Sequence, residues 1–218
     1  MDTETSLAGL YVGASGWSYP SWRPGFYPAG TKPADFLRYY AERLRTVELN
    51  TTGYRLPAEE QFSRWAEQTP PGFRFAVKMN AYLRSNFTTF AERVALLGDR
   101  LGPIRVVVAS ARDEGLLALV LGSFDPSLTL AFDFRHDSWD GIESALPPHA
   151  VRVGSLEGAA GFRYLRLREP PYDDAELDEW ARRIRPLLDA GTEVYCYFKH
   201  EDAPTAPRYA TRLIERLG

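Results

Sequence analysis

Glu48, Lys78, Asp133, Arg135 and Arg166 each stand within or beside a short run of strand-forming residues, at positions that alternate with apolar ones. Successive side chains of an extended strand point to opposite faces. In LTLAFDF, Leu128, Leu130, Phe132 and Phe134 share one face, and Thr129, Ala131, Asp133 and the following Arg135 share the other. Val47 and Leu49 oppose Glu48 and Asn50, while Phe73, Phe75 and Val77 oppose Arg74, Ala76 and Lys78. Leu165 and Leu167 oppose Tyr164, Arg166 and Arg168; Val194, Cys196 and Phe198 oppose Tyr195, Tyr197 and Lys199. Charges at inward strand positions are costly unless paired or functional, which singles these residues out.

The chemistry open to them is of three kinds. Two carboxylates in unlike surroundings, Glu48 and Asp133, can divide the work of general acid and base. The plainer reading pairs them with Lys78 and Arg135 as salt bridges. Lys78 suits a Schiff base if desolvated, or a point charge for a carboxylate or phosphate. Arg135-His136 combines a planar anion-binding fork with an imidazole, whose plainer role is a bond to loop backbone. Four cations (Lys78, Arg135, Arg166, Lys199) against two anions (Glu48, Asp133) leave a local positive excess in a chain of net charge −3. That excess favours a small anionic ligand, with Ser15, Asn50, Arg135, Arg166, Tyr197 and Lys199 around it. Three histidines in the whole chain make a rich metal site improbable. Asp133, His136, His200, Glu201 and Asp202 lack the spacing of a metal motif, so no metal or other cofactor is expected.

GASGWS after the first apolar run has glycines that let backbone approach a ligand. Trp17, Tyr19, Trp22, Phe26 and Tyr27 then crowd one loop. Such a group serves as a lid or stacking platform over the site. Packing beneath a long loop is the alternative.

These residues need strands to hold them. Eight candidates follow in order: LYVGAS (10–15), TVELN (46–50), FRFAVKM (73–79), IRVVVA (104–109), LTLAFDF (128–134), AVRVG (150–154), FRYLRL (162–167) and EVYCYF (193–198). Between them run stretches of helical period, around 36–44, 62–66, 90–97, 116–121, 177–188 and 209–217, with Pro186 expected to kink the fifth. This alternation predicts an α/β fold, a TIM-type (β/α)8 barrel, with charged positions gathered at the carboxyl ends of the strands. Only SLEGAAG separates the sixth and seventh strands, so the sixth βα unit is degenerate. An open doubly wound sheet is the structural alternative.

The chain has 218 residues, enough for one such domain over 1–218, with 44% hydrophobic and 25% charged residues. Its slight acidity argues against a non-specific nucleic-acid or membrane-surface role. Cys196 is the only cysteine, so no internal disulfide can form. No apolar run approaches the roughly 20 residues of a membrane helix, and the first residues lack a signal-peptide pattern, so a cytoplasmic location is expected.

Several strings, in this order, resemble the family catalogued as domain of unknown function 72 (YecE-like). They are GASGWSYPSW (13–22), FYP (26–28), FLRYYAERLRTVELNTTGYRLP (36–57), PPGFRFAVK (70–78), AFDFRHDSW (131–139), YLRLRE (164–169), LDEWARRI (177–184) and YFKHEDAPTAPRYATRL (197–213). The resemblance implies a TIM-type barrel and no established activity. Glu48, Asn50, Tyr54, Arg55, Lys78, Arg135 and His136 match the family's pattern. Gly53 stands where that pattern has an aromatic, Asp133 where it has glutamate, and Arg168 where it has histidine.

The reading is therefore a barrel acting on a small anionic or phosphorylated substrate by metal-independent acid/base chemistry. Glu48, Lys78, Asp133 and His136 are its catalytic candidates. Ser15, Trp17, Tyr19, Asn50, Tyr54, Arg55, Arg135, Arg166, Tyr197 and Lys199 are its binding candidates. A nucleic-acid-processing barrel and a non-catalytic binding barrel are the alternatives.

Overall fold

The computed structural model describes residues 7–53, 55–82 and 87–218. Eight strands lie in one parallel sheet: β1 (Leu10–Ala14), β2 (Thr46–Leu49), β3 (Arg74–Asn80), β4 (Leu101–Val108), β5 (Leu130–Phe134), β6 (Ala150–Arg152), β7 (Phe162–Leu167) and β8 (Glu193–Phe198). Their order is β6-β5-β4-β3-β2-β1-β8-β7. In this order β1 lies between β2 and β8, and the two edge strands, β6 and β7, approach each other, so the sheet curls into a ring rather than lying open. At the remaining seam, between β6 and β7, the Gly154 amide donates to the Tyr164 carbonyl at 2.8 Å. The outcome is a nearly closed TIM-like barrel.

Six α-helices are found among the described residues: α1 (Phe36–Ala41), α2 (Glu59–Glu67), α3 (Phe87–Ala95), α4 (Glu114–Gly122), α5 (Asp174–Asp189) and α6 (Thr205–Leu217). None is long and apolar enough to cross a membrane. Helix α5 starts at a capping box, Asp173 with Glu176, and runs through Pro186 to Asp189. The degeneracy is wider than one unit. Two 3-10 turns, Asp137–Trp139 and Ile142–Ala145, join β5 to β6, and no α-helix lies between β6 and β7. On the outer face of β7, Arg163 takes up the missing layer. Its guanidinium donates to the carbonyls of Leu156, Gly158, Ala160 and Phe162 at 2.5 to 2.9 Å, folding the short 155–161 connection around one side chain.

Strand alternation sorts the interior into two packed regions. Outward residues such as Val47, Leu49, Phe75, Val77, Phe132, Leu165 and Cys196 join the core beneath the helices. Inward ones, Tyr11, Ala76, Ala131, Val151, Phe162, Tyr164, Tyr195 and Tyr197, fill the barrel. The small Ala76 and Ala131 leave room for the tyrosines, of which Tyr11 and Tyr195 stack at 4.6 Å. Between β1 and β2 the ladder is bridged by a side chain: the Tyr40 hydroxyl accepts from the Ala14 amide and donates to the Thr46 carbonyl. Gly13 is required there, since a Cβ on it would stand 2.1 Å from the Thr46 oxygen. In β4, Phe75 pairs with Leu101 and Val77 with Ile104, so Gly102 and Pro103 form a bulge opposite Ala76.

Candidate functional site

Glu48 ends the inward face of β2, and its carboxylate is fully buried at the centre of the barrel. Three side chains from two other strands converge on it. Arg105 of β4 donates an Nη at 2.8 Å, Tyr164 of β7 its hydroxyl at 2.7 Å, and Arg166 of β7 its Nε at 2.9 and 3.1 Å. Burial pushes the Glu48 pKa up, but Arg105, Arg166 and the Tyr164 bond outweigh it and bring it down to about 2. Glu48 is therefore a fixed anion at neutral pH. Burial likewise opposes the charge on Arg105, and Glu48, Tyr164 and Asp133 more than offset it, so its pKa rises.

Nearer the mouth, Asp133 of β5 gathers the remaining guanidinium groups. Arg135 reaches it at 2.9 Å and Arg168, just past β7, at 2.7 Å, while the Nε of Arg105 lies 3.7 Å away. Four arginines thus share two carboxylates, a connected set with two positive charges in excess. The excess is felt. Burial lowers the Arg135 pKa, Asp133 raises it, and Arg168, Arg105 and Arg166 lower it further. Among the described contacts Arg166 spends only its Nε on Glu48, leaving both Nη groups for something else.

A cavity of about 420 Å3 opens beside Glu48, between the loop after β1 and the segment from β2 to α2. Ser15, Trp17, Tyr19, Asn50 and Trp65 are among its walls. Trp17 is braced edge-on by Trp65 and Phe75, at 5.6 and 6.4 Å between ring centres. Tyr19 stacks on His200 at 4.7 Å. The Ser15 Oγ meets His200 twice, accepting its backbone N–H at 2.9 Å and lying 3.1 Å from its Nδ1. Burial, with Arg166 and then Lys199 adding to it, lowers the His200 pKa, so the ring is neutral at pH 7. Burial and the Glu48 charge push the Tyr19 hydroxyl up to about 12.

Of the residues singled out from sequence, Glu48, Asp133, Arg135 and Arg166 meet in one network, and Ser15, Trp17, Tyr19 and Asn50 line the adjoining cavity. Others are placed differently. Tyr197 lies in a lower layer, fully buried, with its hydroxyl 2.7 Å from Thr46 Oγ1, and offers no surface to a ligand. Arg55, His136 and Lys199 are exposed. His136 takes its plainer role, its Nδ1 accepting the Ser138 amide at 3.1 Å to cap a turn. Lys78 is half-buried in register with Arg105, its stem filling the space beside Gly53, where a Cβ would come within 2.7 Å of it. Tyr54 falls outside the described residues. Trp22 and Tyr27 are fully buried loop core: the Trp22 indole donates to the Glu201 carbonyl and Tyr27 to that of Trp17. They form packing under the loop, not a platform. Several site residues were not among the candidates: Arg105, Arg168 and Tyr164 of the network, Gln61 and Trp65 of the cavity wall, and His200, weighed from sequence only as a metal ligand. Arg105 hides in an apolar run, though an isolated charge on the inward phase of IRVVVA was its signal. Arg168 and Tyr164 share Arg166's face and follow from the same alternation. Among the described residues no three His, Cys, Asp or Glu side chains cluster so as to hold a metal ion.

Comparison with known proteins agrees with this architecture. Residues 11–218 match the model of a family described as protein of unknown function DUF72. The UPF0759 protein YecE of Escherichia coli (strain K12) is 35% identical over 103 residues, 43% of this chain and 35% of its own length. The UPF0759 protein YunF of Bacillus subtilis (strain 168) is 22% identical over 185 residues, 74% of this chain and 61% of its own. The chain thus spans about a third of the first relative and under two thirds of the second. A crystal structure of a DUF72 family protein from Enterococcus faecalis V583 superposes with a TM-score of 0.72 at 17% identity, covering 86% of this chain and 95% of that one. A second crystal structure of that protein gives 0.72 at 16%, covering 95% of each chain. With its barrel shared and nearly its whole length matched, this chain belongs to the DUF72 family.

Proposed function

We propose that the chain binds a small anionic molecule, a carboxylate or phosphate ester, at the carboxyl end of its barrel. The carrying observation is the connected set of four arginines on two carboxylates. Glu48 and Asp133 neutralise half of that charge and fix the guanidinium directions, and the surplus faces the mouth from Arg135, Arg166 and Arg168. Guanidinium forks held in advance by buried carboxylates bind anions with little ordering cost. Acid–base work at such a site falls to His200 rather than to Glu48. A carboxyl group of pKa about 2 with three donors on it neither gives nor readily takes a proton near neutrality. A nucleic-acid ligand fits less well. Arg105 and Arg166 are recessed in the barrel mouth and all four arginines are tied to carboxylates, whereas a polyanion needs a basic track along the surface.

The test is calorimetric titration with inorganic phosphate and with citrate, beside their effect on the melting temperature. The natural chain should bind one or both, and the reversal Arg135→Glu should weaken that binding roughly tenfold or more, with the circular dichroism spectrum unchanged. Equal affinity in the natural chain and the variant would overturn the assignment.

A further inference from the structure

We propose that the cavity beside Glu48 takes a flat heteroaromatic ring covalently joined to the anion that the arginines hold. The ligand class is then a ring-bearing anion, such as a nucleoside monophosphate or a heteroaromatic carboxylate. The proposal deepens the anion-binding reading and rests on it.

The walls of the cavity argue for a ring. Trp17, Tyr19, Leu49, Pro57 and Trp65 give it mostly apolar surface, and its volume of about 420 Å3 falls within the range of small-molecule sites. The indole of Trp17 is held edge-on by Trp65 and Phe75, and Tyr19 is clamped between His200 and the Ser15 carbonyl, to which its hydroxyl donates. Aromatic walls fixed before binding stack a flat ring at small entropic cost.

The polar groups argue for heteroatoms in that ring. The Nδ2 of Asn50 is buried and has no hydrogen-bond partner. A buried donor left unmade costs about 1–3 kcal/mol, so an acceptor on the ligand that the Asn50 side chain turns to meet recovers that loss. Gln61 supplies a second amide to the lining. Glu48 cannot serve instead: its carboxylate is ionised, so it only accepts, and Arg105, Tyr164 and Arg166 already bond to it. A sugar ring would bring several hydroxyls to walls of indole, leucine and proline, where two amides could not pair them all. A purely aliphatic group would leave Asn50 unpaired. A ring nitrogen or carbonyl matches what is offered.

The two subsites share a border. Glu48 lines the cavity and holds Arg166, and the Tyr19 hydroxyl senses the charges of both. A ligand spanning them places its ring against Trp17 and its anion toward Arg166 and Arg168.

The experiment titrates the full chain, by calorimetry and tryptophan fluorescence, with inorganic phosphate, ribose 5-phosphate, adenosine 5′-monophosphate, uridine 5′-monophosphate and pyridine-2-carboxylate. At least one ring-bearing anion should bind roughly tenfold more tightly than ribose 5-phosphate. The nucleotide and pyridine arms tell the two sources of the chemistry apart. Gln61→Ala should narrow that margin while phosphate binding and the melting curve stay as they were; Asn50→Ala should narrow it too, with a melting temperature equal to or above that of the natural chain, because an unpaired donor is removed. Ribose 5-phosphate binding as tightly as every ring-bearing anion would overturn the ring subsite and leave the anion site standing. A margin unchanged in both variants would do the same. Absence of binding by any of the anions would overturn the anion site itself, and this proposal with it.

Discussion

Arg105, in the barrel mouth, faces two carboxylates; Arg163, on the outer side of the wall near the β6–β7 seam, faces four backbone carbonyls. Both are nearly inaccessible, at 2% and 5% exposure. Their electrostatics run in opposite directions. Burial works against each charge, but the anions around Arg105 reverse the effect and raise its pKa, whereas the dipoles around Arg163 do not, and its pKa falls. Arg163 is a structural staple. It folds a loop where a helix is missing, and its charge is a by-product of needing several donors in one place. Arg105 belongs to a network whose charges exceed what packing demands. The contrast teaches that a buried arginine signals a functional site through the excess around it and not through burial alone.

The contrast can be broken most sharply at Glu48. Glu48→Ala leaves Arg105 and Arg166 buried without their anion and should cost about 3–5 kcal/mol in urea unfolding. The same group sets an acid limb. Its folded pKa, about 2, lies below the unfolded value of 4.5, so its contribution is complete above pH 4.5 and is lost as pH falls toward 2. Glu48→Gln should flatten stability over that window, and an unaltered acid limb would show that the carboxylate is not the group responsible. Arg163→Met should come next, at roughly 2–3 kcal/mol for its lost bonds to carbonyls. Protease cleavage should appear within 155–161, with phosphate binding unaltered. A loss of phosphate binding in that variant would erase the distinction between the two arginines. Smallest is the response of His200. Its imidazole, followed by NMR, should titrate below 6.5 in the free protein, because burial and Arg166 disfavour its charge. The midpoint should move upward when phosphate occupies the mouth, since an added anion favours the imidazolium.

Much of the barrel was legible in the chain because strand periodicity is local. FRYLRL and EVYCYF coincide with β7 and β8 to the residue, and the six helical stretches locate the six α-helices. The fourth strand began three residues early, at Leu101, because a bulge absorbs the Gly102-Pro103 pair that reads as a break. Trp22 and Tyr27 were ambiguous because an aromatic looks the same in sequence whether it roofs a ligand or a loop. Arg105 escaped notice among Ile104, Val106, Val107 and Val108, where neighbouring apolar residues mask a single inward charge.

The sequence by itself determined which face of each strand is polar, because alternation along an extended backbone needs no partner to define it. Which polar groups meet was decided by the tertiary structure. Glu48 finds Arg105 57 positions away and Arg166 118 positions away only because β2, β4 and β7 close around one axis. Coulombic pairing depends on distance in space, so the same local pattern that named Lys199 and Tyr197 could not say that one would end in solvent and the other in a sealed lower layer.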